Sequence, residues 1–328
     1  MAKGLKFIED SGQDLGLKPS ECCFSSAQLV QTTQFMSFSP KYCPVDSCAF
    51  HHQVGGRFNK MGYFLIRRLN QKVRRYQCTN CHKVFSSRTF KLDHKHKKMD
   101  LNFRLAKLLV EGNSLRSASR ILNLSYSSTY KKFLWLKKVV DLKKGQLKYQ
   151  AKALQFDELE SIHHTKCKPL SIALIVNDSN KLLSAQVAEM PAKGPLAEFS
   201  RKKYGPRIDE RTAKLKLAFG EVKSKLVSPP ILIESDQRPG YKKIVEEMLP
   251  QIEYRQHNRA EKDRLQSRIH EKTQKKRFDP LFAVNHKCAL LRSQIKRLAR
   301  RSWCTTKSPE NLQLHLDLFV IMQFYEKF

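Results

Sequence analysis

Four cysteines in two close pairs constrain the fold of this chain more than any other sequence feature. Cys43 and Cys48 are separated by four residues, Cys78 and Cys81 by two, and about thirty residues lie between the pairs. Such spacing is typical of a tetrahedral site in which four thiolates bind one zinc ion between two β-hairpins. Because the intervening segment is too polar to form a core unaided, we predict a zinc ribbon over residues 42–92.

Two alternatives to this ligand set remain open. Cysteine pairs in a reduced protein can be small core residues without a metal. Three histidines also lie close enough to compete as ligands, namely His51, His52 and His82. Basic and aromatic residues are interleaved between Arg57 and Tyr76, which favours contact with DNA phosphates; a solvated basic face is the alternative.

The charge of the chain indicates a polyanionic partner. Its 328 residues include 62 Lys and Arg against 30 Asp and Glu, a formal charge of +32, so we expect binding to double-stranded DNA. No run approaches the 18 apolar residues of a membrane span, and the first residues lack a signal-peptide pattern. We therefore expect a cytoplasmic, nucleoid-associated protein with reduced thiols, whose residues 1–41 form an N-terminal arm of unclear role.

Residues 99–141 show the pattern of three short helices. Leu101, Leu105 and Leu108 fall at i, i+4 and i+7, and Gly112 follows as a stop signal. Serines 114 and 125 are placed to cap a second and a third helix. The result is a predicted helix-turn-helix, although such helices also occur as plain packing units.

The N-terminal end of the third helix is the part that can enter a major groove. Hydroxyl and ammonium groups there suit contacts with phosphates and base edges. We predict that the first exposed, DNA-binding residues of this helix are Ser127, Ser128, Lys131 and Lys132.

Residues 150–328 alternate between strand and helix patterns, which predicts an α/β domain. Three consecutive apolar runs should form a meander, and two further strands follow later. The predicted strands are 153–159, 169–178, 181–190, 229–236 and 252–257; the predicted helices are 211–226, 241–249 and those after Leu281 and Ser308. Residues 257–280 carry weak core signals and are expected to be helical or loose.

Two aspartates on these strands are candidate metal ligands. Asp157 lies inside the first strand, where a charge is costly without a partner or a metal, and Asp236 ends the fourth strand. If the two strands are neighbours, the carboxylates meet at one edge, as a pair of Mg²⁺ ions ~4 Å apart would require. Solvated acids at strand ends are the alternative.

The order of these motifs resembles a known family. Five features are similar to those of zinc-ribbon insertion-sequence transposases related to the first-described element. They are the cysteine pairs, the helix-turn-helix, FDEL around Asp157, ESDQRPGY around Asp236 and LRSQIKRLARRSWCTTKSPENL near the end. The resemblance spans roughly residues 41–325. It implies a multidomain chain whose residues 150–328 form an RNase H-like catalytic domain with a mixed five-stranded sheet and an Asp, Asp, Glu triad that binds Mg²⁺ or Mn²⁺.

The third member of that triad departs from the family pattern. In the family a Glu stands seven residues before the Arg of the LR pair that opens the closing basic helix. With Arg292 as that Arg, the matching residue is Asn285, whose amide oxygen can still ligate a hard cation. The alternatives are Glu261, Glu271 and His286.

The closing helix has one apolar and one basic stripe. Leu291, Ile295 and Leu298 form the first, and the second, which we expect to contact DNA phosphates, consists of Arg292, Lys296 and Arg300. An ordinary amphipathic surface helix is the alternative.

Together these features predict a DNA transposase that binds terminal inverted repeats and catalyses strand cleavage and strand transfer. Joining two ends requires at least a dimer during the reaction. A decayed transposase that acts as a DNA-binding regulator is the main alternative, because Asn285 replaces an acid. A nuclease of the RNase H type that cuts hybrids or junctions is the third.

Overall fold

The computed structural model describes residues 38–51, 55–66, 71–92, 94, 96–257, 279–299 and 304–325. The chain divides after Phe90 into two compact units. The predicted arm, most of the 257–280 segment, Glu261, Glu271 and Arg300 lie outside the described residues.

The first unit is a small three-stranded antiparallel sheet. Its strands are β1 (Phe58–Ile66), β2 (Gln71–Cys78) and β3 (Val84–Ser86), in that order, followed by a 3₁₀ turn over Ser87–Phe90. Its core consists of three cysteines, Cys43, Cys48 and Cys78, and the rings of Tyr76 and Phe85. With so few apolar side chains, this unit has little hydrophobic stabilisation of its own.

The second unit begins with three helices and continues into a five-stranded sheet. The helices are α1 (Asp100–Val110), α2 (Leu115–Ile121) and α3 (Tyr126–Gln146). The strands are β4 (Ala153–His163), β5 (Thr165–Asn177), β6 (Leu182–Glu189), β7 (Leu232–Asp236) and β8 (Glu253–His257). The later helices are α4 (Leu196–Tyr204), α5 (Arg211–Lys223), α6 (Tyr241–Met248), α7 (Phe282–Gln294) and α8 (Pro309–Met322).

The sheet is mixed, with strand order β6-β5-β4-β7-β8. Strands β4, β5 and β6 form the predicted antiparallel meander, whereas β7 runs parallel to β4 and β8 parallel to β7. The prediction of a mixed five-stranded sheet is confirmed. It succeeded because buried strands such as β5 and β6 are continuous apolar runs bounded by turn residues.

Helices cover both faces of this sheet. On one face Phe156 of β4 contacts the rings of Phe219 in α5 and Tyr241 in α6, with centroids 5.0 and 4.8 Å away. On the other face α7 packs over β4, where the Val284 amide donates to Gln155 Oε1. Helix α4 was not predicted, because Ser200 is its only buried residue and its sequence has no apolar period.

Helix α8 joins the three N-terminal helices to the sheet. Leu316 packs in the core of the sheet, whereas Leu318 packs with Leu105 and Phe133 of α1 and α3. At the edge of the sheet, Gln313 accepts from the Val187 amide and donates to the Ala185 carbonyl, so the free side of β6 is covered. The three helices and the sheet are therefore one compact unit.

The segment after α7 departs from the predicted closing helix. Leu291, Ile295 and Leu298 are buried as predicted. The α-helix nevertheless ends at Gln294, Ile295 is extended, and a 3₁₀ turn follows over Lys296–Leu298. The apolar period alone did not reveal this break, because a bend at Ile295 still directs all three side chains into the core.

Candidate metal centres and nucleic-acid interface

The four predicted cysteines converge on one point. Their sulfurs all lie within 4.8 Å of one another, with Cys43 Sγ 3.5 Å from Cys81 Sγ and Cys48 Sγ 3.8 Å from Cys78 Sγ. Zn–S bonds of about 2.3 Å place the sulfurs of a tetrahedral site roughly 3.8 Å apart. The cluster could therefore hold a metal such as zinc, and the prediction of these four residues as a group is confirmed.

The surroundings of the cluster favour a bound cation. Burial raises the pKa of the Cys43 thiol, while the hydrogen bond from Asn80 Nδ2 lowers the pKa of Cys48. Bringing four thiolates together without a cation would be costly, and a metal removes that cost. His51 is not among the grouped ligand atoms; its Nδ1 lies 2.7 Å from the Cys43 carbonyl oxygen, a position from which it can hold the loop.

The first cysteine pair does not lie in a β-hairpin, contrary to the prediction. Residues 38–51 contain no strand, and Cys43 and Cys48 are held by turns in which the Cys48 amide donates to the Val45 carbonyl and the His51 amide to the Cys48 carbonyl. Only Cys78 lies on a strand, at the end of β2. Cysteine spacing does not distinguish a turn from a hairpin, because both can present two sulfurs to one ion.

The two candidate aspartates lie on neighbouring parallel strands. The last paired positions of β4 and β7 are Gln155 and Glu234, and Asp157 and Asp236 each follow two residues later. Side chains alternate along a strand, so both aspartates project from the face that Gln155 and Glu234 occupy. Adjacent strands are about 4.8 Å apart, which brings the two carboxylates to the same level of the sheet.

One carboxylate oxygen in this pair is unusual. Asp236 Oδ1 is buried and has no hydrogen-bond partner among the described residues, whereas Asp157 Oδ1 accepts from the Glu158 amide at 2.7 Å. A buried carboxylate oxygen without a donor is costly, and a divalent cation would satisfy it. Within the described part of the chain, however, only the four cysteines form a group of three or more metal-ligating side chains.

A polar clamp, which we define as the side chains of Gln155, Glu234 and His257, lies beside the aspartates. Gln155 Nε2 donates to Glu234 Oε2 at 3.0 Å and to the Pro280 carbonyl at 2.7 Å. The other oxygen, Glu234 Oε1, lies 2.9 Å from His257 Nε2. Through Gln155 this clamp fixes the start of α7 over the sheet.

Sequence reasoning did not identify Glu234 or Gln155 as members of this site. The available signal was strand alternation, since each of these residues stands two positions before an aspartate and so shares its face.

Helix α7 brings the candidate third ligand to this face of the sheet. Asn285 lies one turn before Cys288, whose pKa is raised to about 12 by burial and by the charge of Asp157. Asn285 Nδ2 donates to Asp279 Oδ2 at 2.9 Å. The imidazole of His286 instead lies 3.0 Å from Asn180 Nδ2, in the turn after β5.

The basic residues of the closing segment differ in exposure. Arg292 is half-buried, and its charge lowers the pKa of Cys288, which the charge of Asp157 raises. The side chain of Arg292 therefore lies on the side of α7 that faces Asp157. Lys296 is exposed in the 3₁₀ turn. They therefore do not share one solvent-exposed stripe of a continuous helix.

The three helices predicted over residues 99–141 are present, and the two predicted serine caps are formed. Ser114 Oγ accepts from the Ser117 amide and Ser125 Oγ from the Ser128 amide. At the start of α3, Ser127, Ser128 and Lys131 are exposed.

Lys132 was predicted to be exposed as well, and that prediction is wrong. Lys132 is 8% exposed, and its ammonium donates to the carbonyls of Lys97 and Lys98 and to Asn102 Oδ1. It is a structural cation that ties α3 to the start of α1. The sequence suggested exposure because lysine is rarely buried unless it is paired in this way.

Comparison of the chain with protein-family models and with curated proteins finds no match. Among the described residues, no helix is long and apolar enough to cross a membrane.

Proposed function

We propose that this protein is a DNA transposase of an insertion sequence, with an RNase H-like catalytic domain. It would bind the terminal inverted repeats of its element and catalyse metal-dependent strand cleavage and strand transfer. Its partners would be the element ends and target DNA, and at least two copies of the chain would act together, because two ends must be joined.

The observation that carries this proposal is the aspartate pair. Asp157 and Asp236 stand two residues beyond the last paired positions of neighbouring parallel strands, and Asp236 Oδ1 is buried without a donor in the described part of the chain. Oxygen ligands of this kind are those that Mg²⁺ or Mn²⁺ prefers. A bound divalent cation would activate the attacking oxygen and stabilise the leaving one in phosphoryl transfer.

The residues of the chain would divide the work. Asp157 and Asp236 hold the cation, and Asn285 is the proposed third ligand through its amide oxygen. Gln155 positions α7, because it bonds the Pro280 carbonyl and the Val284 amide at the start of that helix. The site thus depends on the packing of α7 against β4.

DNA binding is proposed for three parts of the chain. The exposed N-terminal end of α3 offers Ser127, Ser128 and Lys131 to the major groove. Arg292 and Lys296 would contact phosphates beside the aspartates, and Arg300 is proposed from sequence alone. In the zinc unit, the Arg74 guanidinium lies 4.3 Å over the exposed ring of Tyr63, which presents both charge and an aromatic surface.

The test is metal-dependent cutting of a duplex taken from the DNA that flanks the gene. Asp157→Asn and Asp236→Asn should each abolish cutting and joining in Mg²⁺ while leaving DNA binding unchanged. Asp178→Asn, at an exposed carboxylate in the turn after β5, is the matched control and should cut normally. Full activity of either aspartate variant would refute the proposed site.

The second candidate is a DNA-binding regulator without catalysis. It is favoured by Asn285, which stands where the resemblance implies an acid and donates to Asp279 Oδ2. DNA binding with no metal-dependent cutting by the wild-type protein would support this candidate. If the protein cuts, Asn285→Ala decides whether the amide belongs to the site, since full activity would exclude it.

A further inference from the structure

A cleft of about 360 Å³ opens where β4 continues past the end of β7. Its walls come from β4, from the start of β5, from the loop after β6 and from the segment after α7. They include the side chains of Ser161, Lys166, Met190, Lys193, Arg297 and Leu298. No residue of the proposed catalytic set lines it.

The charges at this cleft are unbalanced. Three cations line it, and the one acid, Glu160, is paired with Lys193 at 2.8 Å. Lys166 is exposed at the rim, and Arg297 stands half-buried in the wall. The cleft therefore carries a net positive charge, which favours an anionic ligand.

Arg297 is the most informative of these cations. Burial lowers the pKa of its guanidinium, and the phenol of Tyr126 counteracts that shift. Among the described residues no carboxylate forms an ion pair with it. A partly desolvated charge without a counter-charge is unfavourable, and a bound anion would offset that cost. A planar guanidinium is also the side chain best suited to a phosphate.

The position of the cleft relates it to the aspartate pair. Ser161 follows Asp157 by four residues on β4, which corresponds to roughly 13 Å at about 3.3 Å per residue. Along one strand of B-form DNA, successive phosphates advance about 3.4 Å along the axis and also rotate around it, so that two phosphates roughly 13 Å apart in space are about two nucleotides apart. The cleft thus lies about two nucleotides from a phosphodiester held at the aspartates.

We propose that this cleft binds a backbone phosphate of the DNA strand, about two nucleotides from the bond that is cut. Arg297 holds the phosphate and Lys166 closes the rim. The assignment of position depends on the proposed function, whereas the assignment of phosphate binding does not.

The experiment measures binding of the full chain to a 20-base-pair duplex in EDTA, where cutting cannot occur, at several salt concentrations. Loss of one phosphate contact lowers the slope of log K against log salt by about 0.9. Arg297→Gln and Lys166→Gln should each show this decrease in slope. Between 50 and 200 mM salt, the factor by which affinity falls should therefore be about 3-fold smaller for each variant than for the wild type. Lys243→Gln, at an exposed lysine of α6, is the matched control and should keep the wild-type slope.

A second arm locates the phosphate. Methylphosphonate linkages are placed one at a time in a duplex from the DNA that flanks the gene. The linkage bound by Arg297 should weaken binding of the wild type but not of Arg297→Gln, and it should lie about two nucleotides from the cut.

The outcomes separate the two proposals. Unchanged slopes in both cleft variants would overturn the cleft proposal even if the protein cuts DNA. Reduced slopes without any metal-dependent cutting would support the cleft and refute the proposed catalysis. Should Arg297→Gln prove unfolded by circular dichroism, Lys166→Gln decides alone, because Lys166 is exposed at the rim.

Discussion

His315 provides a quantitative test of how the three N-terminal helices pack on the sheet. It lies on α8, is 7% exposed, and its ring packs against Phe133 of α3 with centroids 4.9 Å apart. Its Nε2 has no partner within the described residues. Burial, followed by the charge of Arg297, lowers its pKa from 6.5 to about 3, so the imidazole is neutral in the folded protein near neutral pH.

The sign of the pH dependence follows from this lowered pKa. At pH 7.5 the imidazole is neutral in both states and contributes nothing. At pH 5 the unfolded chain binds a proton at His315 and the folded chain does not, so stability is lost as the pH falls below 6.5. A difference of 1.5 pH units at 1.36 kcal/mol each gives a loss of about 2 kcal/mol at pH 5.

Urea unfolding followed by tryptophan fluorescence measures this loss, because Trp135 lies on α3 in the second unit. His315→Met replaces the titrating imidazole with a flexible apolar side chain. Lowering the pH from 7.5 to 5 should therefore lower the free energy of unfolding of the wild type by about 2 kcal/mol more than that of His315→Met. Parallel pH profiles for wild type and His315→Met would refute the reasoning.

Three further predictions concern the four-cysteine cluster, the turn at Gly112 and the polar clamp. Cys78→Ser should abolish binding of one zinc per chain in native mass spectrometry, whereas Cys304→Ser should retain it. Gly112→Ala should lower the free energy of unfolding by about 1–2 kcal/mol, because Gly112 has φ +85° and a Cβ there would lie 3.2 Å from the Gln294 carbonyl oxygen. The control is Gly145→Ala, inside α3 with open space around it, which should instead stabilise the protein by up to about 1 kcal/mol. Gln155→Leu should cost about 1–3 kcal/mol in urea unfolding by leaving Glu234 Oε2 and the Pro280 carbonyl without the Gln155 donor, and should slow cutting without changing the Kd for DNA.

The features that the sequence predicted correctly are those encoded by local patterns. Ser114 and Ser125 cap helices because a short side-chain oxygen before an apolar period can accept from a free helix amide. The strands of the meander were readable as apolar runs. The four cysteines were readable as one group because thiolates gathered around an ion are fixed by chemistry, whichever turns carry them.

Other properties were decided by contacts between distant segments. Lys132 is buried because Asn102 and two carbonyls before α1 surround its ammonium, and its own neighbours in sequence give no sign of this. Gln155 became part of the site only through Glu234 and the start of α7, which lie 79 and 125 residues further along the chain. The sequence by itself determined which segments form helices, strands and a thiolate cluster, since these depend on neighbouring residues. Only the tertiary structure decided which polar groups are desolvated and which are paired, because burial depends on residues that meet after folding.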